Sequence, residues 1–324
     1  MSITITNKLI IEEAEKHGIS HEILSEKHNL IALKHKDKEI ITRRAVTPAS
    51  SAVLFYTANH KDATYEILNH YGFSVPKTIA VPNIVEAKDA AKKIGYPVVV
   101  KPEDGAHGEG VTINVADEEM LRISYMEAFN VNQKDVLIQR FIPGDDYRVL
   151  VVDYKVLAIA KRVPCNIVAD GKSNIEDLIE NENQNPLRGK GHQKAMTSIV
   201  LDEHVEQFLK SQNLTLKSIP DDGEQIFLRE NANLSTGGEA YDVTDMAHKD
   251  NIKILENMSK ALNARVTGID IRCTDISKKF DDDDYAVIET NVSPGIRMHH
   301  FPSRGKSRNI AKAILELLFP EAVS

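Results

Sequence analysis

The stretch Val98–Val111, VVVKPEDGAHGEGV, decides how the rest of the chain is read. Val98, Val99 and Val100 favour an extended backbone, because branched Cβ atoms suit a pleated surface. Lys101 then stands at the end of a strand. Pro102 lacks the N–H that a ladder needs, so pairing is expected to stop there. Gly105, Gly108 and Gly110 permit positive φ and leave room for close approach by a ligand. Backbone N–H groups beside one ammonium are what a polyphosphate requires. The lysine precedes the glycines and no Lys-Ser/Thr pair follows them, so this is not the common strand–loop–helix phosphate loop. The same residues also read as a hairpin turn, and Val111–Val115 (VTINV) alternates as a return strand does. A hairpin and a phosphate-covering loop are compatible.

The surrounding chain has 324 residues, 42% hydrophobic and 27% charged. That is ordinary for a soluble globular protein with a large core and two or three domains. No apolar run reaches the length of a membrane span. The N-terminus shows no cleavable signal, so a cytoplasmic location is the expectation. A net charge of −8 disfavours nucleic acid or an anionic membrane as the main partner. Cys165 and Cys273 are too far apart for a local metal motif or a disulfide framework, and both are expected to be buried and inert.

Upstream of the strand, Leu9–His17 has helical spacing with Gly18 as its stop, and residues 21–44 read as short strands around a polar KHKDKE turn. Residues 59–72 predict a helix with Tyr65, Leu68 and Tyr71 on one side. Val85–Ile94 predicts another, ended by Gly95. Downstream, a helix over 118–129 and an extended segment over 136–142 lead into a hairpin, 145–162, turning at Asp153-Tyr154. Helices are expected over 174–182, 202–212, 249–262 and 308–318. A polar GKGHQK tract lies between the first two, and a short strand over 225–229 follows the second. Strands are expected over 267–272 and 285–291, with KKFDDDD between them as a solvated tip.

Asp270 sits in an apolar strand, GIDIR; Glu289 and Asn291 share one face of another, VIETN. Three oxygen-bearing side chains on neighbouring strands suit a hard cation, and Mg²⁺ takes one or two carboxylates together with nucleotide phosphates. Arg148 and Arg162 flank the two strands of the apolar hairpin and are placed to face one cleft, where guanidinium groups bind carboxylate or acyl phosphate. Any one of Arg229, Arg272 or Arg297 alone reads as a surface charge. His107, His299 and His300 read as loop histidines without a role.

The stretches VVVKPEDGAHGEGV, GDDYRVLVVDYKVLAIAKRVP, LRENANLSTGGEAYDVTD, GIDIR and VIETNVSPGIRMHHFP, in this order over residues 58 to 320, resemble the ATP-grasp ligases, and among them the central ligase domain of the cyanophycin synthetases. The first 55 residues look like the start of the ligase module in bifunctional glutathione synthetases. The resemblance implies an α+β fold: two α/β subdomains that clasp ATP, at 58–145 and 146–324, behind a small N-terminal α/β segment at 1–57. It implies an ATP-dependent carboxylate–amine ligase working through an acyl phosphate on small-molecule or peptide substrates, as a dimer or tetramer. Lys61 and Lys101 would be nucleotide lysines. The loop with Glu103, Gly105, His107, Gly108 and Gly110 would cover the phosphates, and Gln139, Arg140, Phe141 and Ile142 would line adenine. Asp270, Glu289 and Asn291 would hold two Mg²⁺ ions, with Mn²⁺ as a substitute. Arg148, Arg162, Arg272 and Arg297 would face the reacting carboxylate. Gln139-Arg140 stands where many such enzymes carry an acid. The resembling synthetases also have a further N-terminal domain and a Mur-ligase-like half, so this chain is expected to add a single amino acid, an acidic one first among the candidates. A glutathione-type ligase and a non-catalytic nucleotide-binding subunit are the competing expectations.

Overall fold

The computed structural model describes residues 3–103, 109–190, 194, 196–281 and 285–323. Helix α1 (Ile5–Lys16) starts one turn before the predicted Leu9 and is stopped by Gly18 at φ 68°. Strands β1 (Ser20–Ser25), β2 (Leu30–His35) and β3 (Lys38–Arg43) then form an antiparallel meander. This segment does not close a core of its own. Leu9, Ile10, Ile31 and Leu33 pack with Leu150 and Val266 and with Ile310, Ile314, Leu318 and Phe319 near the other end of the chain.

Helix α2 (Ala52–Thr57), capped by the Ser51 hydroxyl, was not anticipated from the sequence. Helix α3 (Lys61–His70) turns Tyr65 and Leu68 inward as expected. Tyr71 does not follow them: it lies one residue past the last helical turn and is 59% exposed.

The chain next builds β4 (Thr78–Val81), α4 (Ile84–Ile94), β5 (Val98–Pro102), β6 (Thr112–Val115), α5 (Glu118–Asn132) and β7 (Val136–Arg140). The strands form an antiparallel sheet in the order β4-β7-β5-β6. Asn83 caps α4 by accepting from the Glu86 N–H, and Gly95 at φ 94° ends it. Pairing of β5 ends at Pro102, opposite Val136, as the missing donor dictates. Val98, Val100, Val136 and Ile138 pack under Ala87, Ala91, Leu121 and Ala128 of the two helices. Side chains alternate along a strand, so Lys101 and Gln139 fall on the face that these helices leave open.

The hairpin β8 (Asp145–Val152) and β9 (Lys155–Val163) turns at Asp153 and Tyr154, both at positive φ. A lobe follows, built from β10 (Asn166–Val168), α6 (Ile175–Asn183), β11 (Arg188–Gly189), β12 (Met196–Thr197), α7 (Glu203–Ser211) and β13 (Gln225–Phe227). It has its own core around Ile167, Ile175, Val205, Leu209 and Leu228. The GKGHQK tract falls partly outside the described residues.

The chain then returns through β14 (Glu239–Asp242), α8 (Lys249–Ala261), β15 (Val266–Cys273), β16 (Tyr285–Asn291), the short α9 (Arg297–His300) and α10 (Ile310–Leu318). The main sheet runs β14-β9-β8-β15-β16, antiparallel throughout. Tyr147, Val149, Ile269 and Ile271 on one face pack against Leu255 and Met258 of α8. On the other face, Leu150 and Val152 join the α1–α10 core, while Asp146 and Arg148 at the opposite end stay clear of it. The tip expected to be solvated is partly buried: Phe280 is 9% exposed and stacks on Tyr285 with ring centroids 4.2 Å apart. No described helix is long and apolar enough to cross a membrane.

Candidate functional site

The charged end of the five-stranded sheet is ordered by its register. In one rung Arg162 lies opposite Asp146, and Asp146 opposite Arg272. In the next, Arg148 lies opposite Asp270, and Asp270 opposite Glu289. Period-two alternation therefore brings three arginines and three carboxylates onto one face. Asp270 is 2% exposed. Arg148 grips it with two donors, Nε to Oδ1 and Nη2 to Oδ2, the latter at 3.0 Å, and Arg162 Nη2 lies 3.1 Å from Oδ2. Burial alone would push this carboxyl up; the two guanidinium groups more than offset that and hold it at about 2. Arg162 Nε and Arg272 Nε are buried donors without a partner among the described residues.

Arg272 donates from Nη2 to the Gly144 carbonyl at 2.6 Å, pairs with Asp146 at 3.3 Å and lies over the Phe141 ring at 5.5 Å. Burial raises the pKa of Asp146, against the opposing pull of Arg272 and Arg162. Gly144 is required where the chain passes between the sheets. Its φ is 100°, and a Cβ there would lie 2.2 Å from the Cys273 carbonyl oxygen.

Helix α3, whose Leu68 packs in the core of the five-stranded sheet, adds a cation beside the ladder, and the four-stranded sheet adds a second. Lys61, the first residue of that helix, lies 3.5 Å from Glu289, whose Oε1 also accepts from Asn291 Nδ2 at 3.4 Å. Lys101 is 6% exposed and donates to Gln139 Oε1 at 2.9 Å. Burial, helped by the nearby Lys61 charge and opposed by Glu289, lowers its pKa to about 7. Gln139 in turn donates to the Tyr65 hydroxyl at 3.2 Å and to Thr78 Oγ1 at 2.8 Å. Tyr65 donates to the Ile288 carbonyl of β16 at 2.7 Å. Lys101 is thus joined by side chains to the strand that carries Glu289 and Asn291.

Other expected residues take plainer places. Glu103 is exposed, and its N–H donates to the Asp135 carbonyl at 3.1 Å. Gly110 sits at φ 66° where a Cβ would lie 2.6 Å from Val131 Cγ2, so packing on α5 already demands glycine. Gly105, His107 and Gly108 lie outside the described residues. The Gln139 side chain is committed to Lys101, Tyr65 and Thr78. Arg140 is exposed, and Ile142 is buried. Arg297 is nearly buried, donates to the Lys194 carbonyl at 2.8 Å and lines a small cavity with Met196, Leu234 and Phe301. Arg229 pairs with Asp202, at 2.5 Å, within the lobe.

His300, expected to have no role, caps α10: its Nε2 accepts from the Ile310 and Ala311 N–H groups at 3.1 and 3.2 Å. Cys165 and Cys273 are buried as expected, and burial pushes the Cys165 thiol up to about 11. Sequence reasoning overlooked Tyr65, Thr78 and Asp146 as site residues. Asp146 had a signal, its spacing of two from Arg148. Tyr65 had none, because it reads as an ordinary inward residue of an amphipathic helix.

Two antiparallel sheets linked through Tyr65 of α3, with a buried lysine on one and an arginine–carboxylate ladder on the other, make up the ATP-grasp fold. The family described as carbamoyl-phosphate synthase L chain, ATP binding domain, matches residues 60–219. Over its full length the chain is 39% identical to a cyanophycin synthetase from Trichormus variabilis. It is 34% identical over 322 residues to the glutathione biosynthesis bifunctional protein of Clostridium perfringens. It spans 36% of the first of these proteins and 41% of the second. The crystal structure of a bifunctional glutathione synthetase from Pasteurella multocida superposes with a TM-score of 0.79 at 30% identity, covering 98% of this chain and 44% of that one.

Proposed function

We propose that this chain is an ATP-dependent ligase that joins a carboxylate to an amine. In the first step an oxygen of the substrate carboxylate bonds to the γ-phosphorus of ATP, and the bond to the β-phosphate oxygen breaks, releasing ADP. The amine then attacks the acyl carbon, phosphate leaves, and the amine's proton passes to solvent. Negative charge accumulates on the transferred group, so catalysis rests on positioning and on fixed positive charge.

The observation that carries this reading is the pair of unpartnered donors, Arg162 Nε and Arg272 Nε, on a sheet face whose one deeply buried carboxylate is already neutralised. Buried donors left open beside a satisfied ion pair suit an anionic ligand. In this reading Lys101 and Lys61 meet the nucleotide phosphates, and Arg162 and Arg272 hold the carboxylate and its acyl phosphate. Arg148 keeps Asp270 ionised. Arg297 shapes the substrate side.

The donor set also suits magnesium. Glu289, contacted by Lys61 and by the Asn291 amide nitrogen, keeps further lone pairs, and the Asn291 amide oxygen adds another donor. Asp270 has roughly four lone-pair sites, of which three are taken by arginine donors. One or two carboxylates completed by phosphate oxygens is the usual Mg²⁺ environment. Bound Mg²⁺, two ions in this reading, would neutralise phosphate charge.

An ADP-release assay with a panel of amino acids and short peptides, acidic amino acids first, tests the proposal, with mass spectrometry of the product. A specific acid–amine pair should raise turnover and yield one amide. Turnover that no pair raises would favour a nucleotide-binding subunit without its own chemistry. The likeness to the Pasteurella multocida enzyme supports a second reading, in which a γ-glutamyl dipeptide is joined to glycine; product mass separates the two.

A further inference from the structure

The hydrogen bonds around Gln139 have a fixed direction. Tyr65 commits its only hydroxyl proton to the Ile288 carbonyl, and Thr78 commits its own to the Pro76 carbonyl at 2.8 Å. Both hydroxyl oxygens can then only accept from the glutamine, so they take the two protons of its amide nitrogen. The amide oxygen is left facing Lys101 Nζ at 2.9 Å, and the reverse orientation would set acceptor against acceptor at the two hydroxyls and donor against donor at the lysine. Register makes this possible. Thr78 lies directly opposite Gln139 on β4, and Lys101 is two residues beyond Gln139's partner Val99 on β5, all on the open face.

From this geometry we infer that Gln139 and Tyr65 are positioning residues for the nucleotide site. They hold the Lys101 ammonium against a neutral acceptor and tie it, through the Ile288 carbonyl, to the strand bearing Glu289. The inference rests on the nucleotide reading above. A neutral acceptor matters because a carboxylate at this point would pair with Lys101 and compete with an incoming phosphate. The amide orients the lysine and leaves its charge for the ligand. The tie to β16 matters because the lysine and the oxygen donors on that strand serve one triphosphate, and a shift of either sheet would separate them. Tyr65 is the side chain that reaches from α3 to both, and it sits 6% exposed.

The test uses Mg·ATP as the probe, titrated calorimetrically into the full chain, with thermal melting measured on the same samples. Gln139→Glu keeps the shape and adds a carboxylate, while Tyr65→Phe keeps the ring and removes the link to Ile288. Gln139→Glu gains an ion pair with Lys101 that offsets the two hydrogen bonds lost to Tyr65 and Thr78, so it is expected to melt close to the wild-type temperature yet bind Mg·ATP at least about tenfold more weakly, or about 1.4 kcal/mol. Tyr65→Phe is expected to weaken binding severalfold. The split between retained stability and lost affinity is the signature, because a purely structural role would lower both together. Lys101→Met combined with Gln139→Glu should bind no worse than Lys101→Met alone, since the amide acts through the lysine. Wild-type binding with unchanged affinity in both single variants would overturn this inference and leave the nucleotide reading standing. A wild type that does not bind Mg·ATP would overturn both.

Discussion

The two sheets of this protein bury cations in opposite ways. On the five-stranded sheet, Arg148 is 9% exposed and is matched by Asp270, which a second arginine also contacts. On the four-stranded sheet, Lys101 is 6% exposed and meets only an amide oxygen among the contacts described. The first arrangement is complete without a ligand; the second is not. A buried ion pair loses heavily when one partner is removed, because the survivor keeps its desolvation cost. A buried cation with a neutral acceptor is already under that strain, and its lowered pKa of about 7 expresses it. One sheet supplies rigid, prearranged charge, while the other keeps a charge in reserve.

The sharpest way to break this contrast is to remove the carboxylate. Asp270→Asn should destabilise the protein by about 3–5 kcal/mol in chemical denaturation, since Arg148 would remain buried without its counter-ion. A loss below about 1 kcal/mol would mean that the ladder is not the prearranged element described here.

The lysine side should respond with the opposite sign. The pKa of Lys101 falls from 10.5 to about 7 on folding, so between those values the unfolded chain holds the extra proton. Stability should therefore rise with pH from about 7 to about 10 and be lowest below pH 7. Lys101→Met should flatten that rise relative to the wild type without weakening the fold. Parallel stability curves for the two proteins would remove the claim that Lys101 is a strained cation.

The smallest effect is expected at the exposed junction of the two sheets. Lys61 and Glu289 are each about one-third exposed. Their pairing contributes about 0–1 kcal/mol, so Glu289→Gln should leave the denaturation midpoint nearly unchanged. The Mg²⁺ concentration needed for half-maximal ATP binding should increase. An unmoved magnesium midpoint would take Glu289 out of the cation site.

Much of this was legible in the sequence because it rests on local patterns. The valine run ending in Lys101 is a strand by its own stereochemistry. The spacing of two between Glu289 and Asn291 puts them on one face in any strand pairing. Asn174 marks a helix start that the structure keeps, its side chain accepting from the Asp177 N–H. What stayed hidden depends on contacts between distant residues. The order β14-β9-β8-β15-β16 sets β15 beside β8, far from it in sequence, so the opposition of Asp146 to Arg272 has no local trace. The core shared by Leu9 and Leu318 joins the two ends of the chain, and this is why the first residues looked like a separate piece. Phe280 was read with its aspartate neighbours because its stacking partner, Tyr285, lies beyond the tip. Tyr65 looked apolar because only its ring, not the destination of its hydroxyl, shows in the pattern.

The central claim is that a cation held in reserve on one sheet and prearranged charge on the other serve a single nucleotide. Calorimetric titration of Mg·ATP into the wild type and Lys101→Met addresses it most directly. The account predicts saturable binding to the wild type and a loss of at least about tenfold in the variant, with its melting temperature retained or raised. Equal affinity in the two proteins would contradict it.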